Sequence, residues 1–452
     1  MKGFELGRHV SVKQLLLGAA PSVLMMISIS VYGVFDGFFV SNFAGKTPFA
    51  ALNLIYPVIM ILGSLGFMMG SGGSALVAKC LGEGKQEEAN QQFFNAVAGA
   101  IVLGVVSSLA TYFALPSLAI GLGADEAMLE DCVNYGRIMV LGVTAFNLQN
   151  LFQNFMVTSG KGRLGFRVTL LAGIVNIAFD AIFIVGCRMG VVGAAIGTVL
   201  GQVVGAVIPI IYFSRRNSSS LRLAPCKPMW GALGKMVGNG MSEFVNTISA
   251  SGVSLVLNAS LMQYFGEDGV GAYGIICYVW LVFAAVFIGY NVTIAPRVSY
   301  CLGAKDYREL RSLYVKSLWI LLAFGLLQFA LAEALAVPLS HAFGGYDESL
   351  LQLTIRASLI YGLTYLFLGV NMFGSAFFTA LNNGVVSLLL SFFRLAVLEI
   401  GSVAILPRVF GGEAIWYAVP LAEALGLVMV VAVMQSFSKK YGYDKNFSLV
   451  KH

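Results

Sequence analysis

Residues 50–78, AALNLIYPVIMILGSLGFMMGSGGSALVA, run 29 positions without a charge and close on Lys79-Cys80-Leu81-Gly82. A helix needs about 20 apolar residues to cross roughly 30 Å of hydrocarbon, so this stretch is long enough to span a bilayer. Some 221 residues further on the closing motif returns as Cys301-Leu302-Gly303, again at the end of an apolar run. Working outward from these two stretches, further apolar segments fall near 12–40, 94–115, 133–158, 164–186, 191–214, 234–264, 270–298, 314–337, 352–380, 385–408 and 414–438. With 50–78 they make twelve spans, the thinnest break being Gly186–Gly190 between the fifth and sixth.

Composition agrees with the bilayer as solvent: 58% of the 452 residues are hydrophobic, 11% are charged, and the mean hydropathy is +0.83. The net charge of +6 is scattered over short loops and forms no basic stripe with interleaved aromatics, which argues against nucleic acid and for a membrane surface. Taking the amino terminus as cytoplasmic, the termini and even-numbered connections hold 22 of the 28 Lys and Arg. The odd connections hold only Lys46, Arg188, Arg356 and Arg408, and Arg137 and Arg394 remain inside spans. One missed helix would invert every later loop, so this asymmetry supports both the count and two cytoplasmic termini. Lys2, Arg8 and Lys13 before an apolar run resemble a signal peptide, but the run is too long and lacks a small-residue cleavage pattern. It reads as a retained first helix. The six cysteines show no CxxC or metal-ligand spacing and are expected to be free thiols; a Cys132–Cys187 bridge near two outer helix ends is the alternative.

The repeat extends beyond the Cys-Leu-Gly motif. Gly123, Asp125, Glu126 and Leu129 are answered by Gly345, Asp347, Glu348 and Leu351, Pro116 by Pro338, Gly162 by Gly384 and Gly190 by Gly411. Matches in order at a near-constant offset indicate duplication. Six spans per half make the repeat parallel, with its pseudo-two-fold axis along the membrane normal and a central cavity between the halves. The expected fold is all-α integral membrane, twelve transmembrane helices in two six-helix bundles. The amino-terminal lobe is expected at 1–216, a cytoplasmic linker at 217–233 and the carboxyl-terminal lobe at 234–452, with RRNSSSLRLAPCKP (215–228) supplying the polar connection.

Acids inside spans carry the sharpest chemical signal, since each costs roughly 2.5 to 3.5 kcal/mol near the bilayer centre on insertion scales. There are six: Asp36, Asp180, Glu243, Glu333, Glu399 and Glu423. Asp36 and Asp180 lie at similar depth from the outer ends of spans one and five, and Thr198 of span six joins that layer. Asn176 is one turn before Asp180, and Tyr32 one turn before Asp36, so each polar residue shares its acid's face. Two carboxylates with amide, hydroxyl and phenol oxygens form a donor set suited to Na⁺ or a shared proton. The competing reading, in which each acid pairs with a base or snorkels, is weakened because neither Asp has a Lys or Arg within a turn of its own helix. Glu333 reads as a snorkelling residue. Glu399 either pairs with Arg394 or faces the cavity. Glu423, at the repeat position of Gln202, suits a structural hydrogen bond, and Glu243 a cavity or interhelical role. Pro21 inside span one removes a helix hydrogen bond and marks a bend, coupled to Asp36 or static. Met25, Met26, Tyr56, Met60, Met68 and Met69 either pack or line a forgiving cavity for flat apolar cations. No phosphate loop, nucleophile elbow, HExxH or kinase motif is present, so neither direct ATP use nor an enzyme is expected.

These features together resemble the multidrug and toxic compound extrusion family. PSVLMM with YGVFD (Pro21–Asp36), AKCLGEGK from Ala78, QNFMVTSGKG from Gln153, NIAFDAIFI from Asn176 and GVVGAAIGT from Gly190 carry the likeness, which covers nearly the whole chain. The resemblance implies that Asp36, Asn176, Asp180 and Thr198 hold the coupling H⁺ or Na⁺, with Tyr32 and Pro21 supporting. Glu243, Glu399, Met25, Tyr56 and Met60 are candidate cavity residues. Two departures stand out: Ala181 occupies the place where the family commonly has Pro after the fifth-helix Asp, and span ten carries Asn371 and Asn382 but no acid, which puts a carboxyl-half Na⁺ site in doubt. The implied function is a monomeric cell-membrane antiporter without cofactor that exports amphipathic organic cations in exchange for H⁺ or Na⁺ by rocking-type alternating access. A lipid-linked oligosaccharide flippase is the alternative and calls for a more basic cavity. A major facilitator would carry a Gly-rich Asp-Arg motif in its first cytoplasmic loop, which Lys79–Gln92 lacks, and a channel's acids need not titrate.

Overall fold

The computed structural model describes residues 7, 9–226, 229–344 and 347–444. Lys2, Arg8, Lys227, Lys445 and Lys451 of the loop tally, and Gly345 of the repeat, lie outside them. The first half runs α1 (Val12–Phe39), α2 (Lys46–Gly82), α3 (Gln86–Gly121), α4 (Glu126–Thr158), α5 (Gly162–Asp180) and α6 (Gly190–Ser214). The second opens with one helical stretch, Trp230–Gly303, interrupted at Gly266 by φ 62° and ψ −147°. Only glycine adopts that backbone without strain. The chain folds back there, because Leu257 and Leu261 share an apolar cluster with Ala272 and Ile276. The arms 230–265 and 267–303 are α7 and α8. Next come α9 (Tyr307–Gly344) and α10, broken into Glu348–Gly362 and Tyr365–Ala380 with a 49° bend. In α11, Gly384–Phe392 continues through a π-helical turn, Phe393–Glu399, into Ile400–Phe410, and α12 is Ala418–Tyr441.

Among the described residues nine helices are long and apolar enough to cross a membrane, and the bent pair makes a tenth. Counting the arms of Trp230–Gly303 separately and adding α4, 33 residues long, brings the spans to the expected twelve. The low hydropathy of α4 has a simple cause. Asn147, Gln149, Asn150, Gln153 and Asn154 line its inner side and are all buried, where amides are held by neighbouring helices rather than by lipid. Asn150, for example, donates through Nδ2 to Gly63 O at 3.0 Å. The Gly186–Gly190 break is a real reversal: α5 ends in a π-helical turn, Ala181–Gly186, and Arg188 and Gly190 take φ of 56° and 57°.

Both ends of the described chain lie on one face, since Val10 and Tyr443 pack into the same cluster with Leu310, Phe377 and Phe378. On this face the halves touch through backbone. A Cβ on Gly82 would strike Tyr300 O, and one on Gly303 would strike Lys79 O. The two contacts are each other's image at an offset of 221, so the pseudo-two-fold axis passes between them as in an isologous interface. Deeper in, Gly240 of α7 meets Met68 O and Gly72 of α2, while Gly289 of α8 lies against Val23 of α1 with its Cβ site 2.7 Å from Val23 N. Hydrogen bonds follow the same seam: Thr293 Oγ1 to Ser22 Oγ at 2.9 Å, and Ser30 Oγ to Leu281 O at 3.2 Å. At its start α1 is tied to α9, where Glu309 Oε1 accepts from Val10 N at 3.3 Å, His9 Nδ1 meets Glu309 Oε2, and Lys316 Nζ donates to Val10 O at 2.6 Å. Beyond Ser30, towards the opposite face, no hydrogen bond joins the halves among the described residues, and Tyr56 is 48% exposed.

Replacing Gly240 with Val forces side-chain volume into a backbone contact and should lower stability by about 1–3 kcal/mol. Gly234→Ala, with open space around it, should not. Thermal unfolding of the two detergent-solubilised variants beside the parent checks this.

Candidate functional site

Four helices meet around Asp180. Helix α6 carries glycine at every fourth position, Gly193, Gly197, Gly201 and Gly205, which keeps one helical stripe free of side chains. Helix α5 lies in that stripe. Gly193 faces Phe183 (Cβ to Cβ 2.9 Å), Gly197 faces the Asp180 carboxyl, Gly201 faces Ala172 O (2.8 Å) and Asn176 Cβ (3.1 Å), and Gly205 receives Gln149 of α4 (2.8 Å to Cγ). A methyl group on Gly197 would occupy the space of Asp180 Oδ1. The close approach also puts Asn176 Nδ2 3.3 Å from Thr198 Oγ1, to which it donates. Helix α1 joins through Tyr32, whose ring lies 2.9 Å from the Cβ site of Gly173.

The site is rich in oxygen and poor in donors. Asp180 is 0% exposed, and neither of its carboxyl oxygens has a partner; Asp36 Oδ1, Asn176 Oδ1, Gln149 Oε1 and Gln202 Oε1 are likewise buried and unpartnered. Asp36 and Asp180 lie within electrostatic reach of one another, as do Tyr56 and Tyr135 of Asp36. No Lys or Arg pairs with either Asp among the described residues. Orphaned acceptors in a buried layer are costly unless a donor or cation is supplied from outside. The arrangement can therefore take up a proton, or a small cation held by carboxyl, amide and hydroxyl oxygens. Oxygen ligation of this kind fits Na⁺ chemically, although no group of three or more His, Cys, Asp or Glu converges as a metal cage among the described residues. Ala181 N–H donates to Ile177 O, a bond that a proline there would remove.

The remaining candidates separate. Pro21 sits inside an unbroken α1 with its Cβ 4.0 Å from where a Cβ on Gly162 would stand, and Met25 is fully buried with Met26 and Ala285 in a cluster between α1 and α8. Tyr56 is exposed on the α1–α2 side of the cleft, with Met60 half-buried one turn on. Glu243 is half-buried on α7, one turn before Asn246. Glu399 is not the partner of Arg394. Arg394 Nη1 binds Glu423 Oε1 at 2.5 Å, and Asn371 Nδ2 binds Glu423 Oε2 at 2.5 Å. Glu423 is thus an ion-pair member rather than a lone structural acceptor. Glu333 is half-buried, with its enclosed Oε1 2.8 Å from the Cβ site of Gly362 at the break in α10. Sequence reasoning missed Gln149 and Tyr135, which come from α4, and the role of the glycine ladder, whose four-residue spacing was the available signal.

The MatE family model matches residues 21–182 and again 244–405, two equal stretches covering more than half of the chain and offset by about the repeat length. The chain is similar to the multidrug export protein MepA of Staphylococcus saprophyticus subsp. saprophyticus, 25% identical over 358 residues, 78% of this chain and 79% of that protein. It is also similar to MepA of Staphylococcus haemolyticus, 21% identical over 437 residues, 96% and 95% of the two chains. Among solved structures, the outward-facing conformation of a multidrug resistance MATE family transporter of the MOP superfamily superposes with a TM-score of 0.92, 21% identity, and 98% and 99% of the two chains covered.

Removing Arg394 alone, as Arg394→Leu, leaves the Glu423 charge buried without its partner and should cost about 3–5 kcal/mol. The double variant Arg394→Leu/Glu423→Leu should regain most of that loss. Thermal unfolding of both, compared with the parent, measures the difference.

Proposed function

The chain belongs to the MatE family of multidrug efflux transporters, and from that premise we propose that it is a secondary antiporter expelling amphipathic organic cations in exchange for H⁺ or Na⁺ bound at Asp36, Asn176, Asp180 and Thr198. The observation that carries this reading is the buried, partnerless carboxyl of Asp180 on the Gly197 notch. A buried anionic site in hydrocarbon calls for a cation, and binding one stabilises the protein.

The two lobes are 1–216 and 234–452, joined by the linker 217–233, and both termini are cytoplasmic, as the Lys and Arg asymmetry requires. In that orientation the seam through Gly82–Gly303, Gly240–Met68 and Ser22–Thr293 closes the cytoplasmic side, and the structure stands open outward. Transport rocks one lobe against the other, which must part this seam and the Val10–Glu309 and Val10–Lys316 ties. Ion occupancy at Asp36 and Asp180 biases the equilibrium between the two openings, with Tyr32 and Pro21 linking the bend of α1 to the site. Cargo enters the cleft beside Tyr56 and Met60, with Glu243 and Glu399 on the facing lobe. A lipid-linked oligosaccharide would need exposed positive charge, and Arg394 is neutralised by Glu423, which favours the exporter.

Ethidium efflux from cells under imposed pH or Na⁺ gradients, at matched protein level, tests the coupling. Asp36→Asn and Asp180→Asn should each abolish gradient-driven efflux, and retention in both would refute the site.

A further inference from the structure

On the face that holds both chain ends, the α5–α6 pair carries positive charge with no part in the coupling layer. The connection that follows α6 is folded down there. Leu221 is fully buried in a cluster with Phe93, Phe152 and Phe213. Asn217 Nδ2 donates to the carbonyls of Tyr212, Arg215 and Leu221, and on the α3 side Gln86 Nε2 donates to Ser220 O while Asn90 Oδ1 accepts from Arg222 N. At the start of α5, Lys161 Nζ donates to Ser218 Oγ at 3.0 Å. Arg215 and Arg216, within three residues of Ser218, are therefore held beside the first turns of α5, and Arg167 lies less than two turns along α5 from Lys161.

This charge is not balanced by the protein. Between Asp131 and Glu243 the sequence contains one acid, Asp180, buried at the opposite end of α5. Arg167, Arg215 and Arg216 are exposed, and no carboxylate pairs with them among the described residues. The neighbouring α2–α3 loop is different, since Lys85 Nζ lies 2.7 Å from Glu83 Oε2 and 3.8 Å from Glu88 Oε2. Arg222 belongs to that side, next to the first turn of α3 with its Glu87 and Glu88. Towards the membrane centre both helices show apolar rows: Leu170, Leu171 and Ile174 of α5 are 42–55% exposed, and Val203, Val207 and Ile211 of α6 are 38–45% exposed.

Apolar rows that end in uncompensated guanidinium groups match the two parts of a phospholipid, acyl chains and phosphate. A zwitterionic lipid brings its own ammonium to its phosphate; an anionic one does not. We propose that this end of the α5–α6 pair is a binding surface for an anionic phospholipid, its phosphate drawn to Arg167, Arg215 and Arg216 and its acyl chains lying along the apolar rows. The surface is independent of the antiporter reading, because none of these arginines belongs to the Asp36–Asp180 layer or to the cleft.

Native mass spectrometry of the full-length protein in neutral detergent tests it, with phosphatidylglycerol and phosphatidylcholine of identical acyl chains offered in equal amounts. The parent should retain phosphatidylglycerol in roughly tenfold preference, and Arg167→Gln/Arg215→Gln/Arg216→Gln should bring the ratio close to one. Each of the single variants should lower it in part, so the result does not hang on the folding of the triple variant. Lys85→Gln/Lys305→Gln/Arg308→Gln, which removes three charges elsewhere on the same face, should leave the preference intact. Phosphatidylglycerol should also raise the unfolding temperature of the parent more than that of the triple arginine variant. Equal retention of the two lipids by the parent, an unchanged preference in the triple and single arginine variants, or an equal loss in the Lys85/Lys305/Arg308 variant would overturn the proposal. So would displacement of the retained lipid by inorganic phosphate, which would mark a simple anion site. Efflux by the parent is read separately, and its failure would count against the antiporter and not against the lipid surface.

Discussion

An ionised carboxyl in a low-dielectric layer must find a counter-charge, a proton or a cation, and this requirement organises both halves of the molecule. The two halves answer it differently. In the carboxyl-terminal half the answer is internal, because Arg394 and Asn371 occupy both oxygens of Glu423. In the amino-terminal half no Lys or Arg pairs with Asp36 or Asp180 among the described residues, and Asp180 keeps two unpartnered oxygens. A duplicated scaffold has thus been filled differently, with a compensated ion pair in one half and buried carboxyl oxygens without a protein partner in the other.

Close backbone approach makes both possible. The glycines of α6 let α5 sit deep enough for Asp180 to be fully enclosed, and the glycines of α2, α7 and α8 bring the main chains of the two halves together. Apolar side chains fill in around these backbone contacts, Leu15 against Tyr290 and Ile294 and Met25 against Ala285. The Phe373–Phe377–Tyr443 aromatic group lies within one half.

Architecture was legible in the sequence because hydrocarbon thickness sets segment length and loop charge sets parity, two constraints that act locally. The layer of Asp36, Asn176, Asp180 and Thr198 was legible for a similar reason: helical period fixes depth and face before any packing is known. The partner of Arg394 was not. Glu399, five residues on, was the nearby acid, whereas Glu423 lies 29 residues away on another helix. The π-helical turn Phe393–Glu399 was also hidden. Its wider winding brings a residue five positions on nearly back to the starting side, where an α-helix would carry it past, and Arg394 and Glu399 are both buried. Inter-helix pairings and local changes of winding depend on the packed neighbours, which a single sequence does not display.

The connection at Gly266 has a mechanical meaning of its own. Between α1 and α2 the helix runs on through a π-helical turn to Ala44 and breaks at Gly45, and between α7 and α8 it breaks at Gly266, one glycine in each half. A one-residue elbow leaves almost no slack, so α7 and α8 are held as a single V. One arm bears on α2 at Met68 and Gly72 and the other on α1 at Ser22 and Val23. A load on one arm therefore reaches the other through a single residue, and the same holds for α1 and α2 at Gly45.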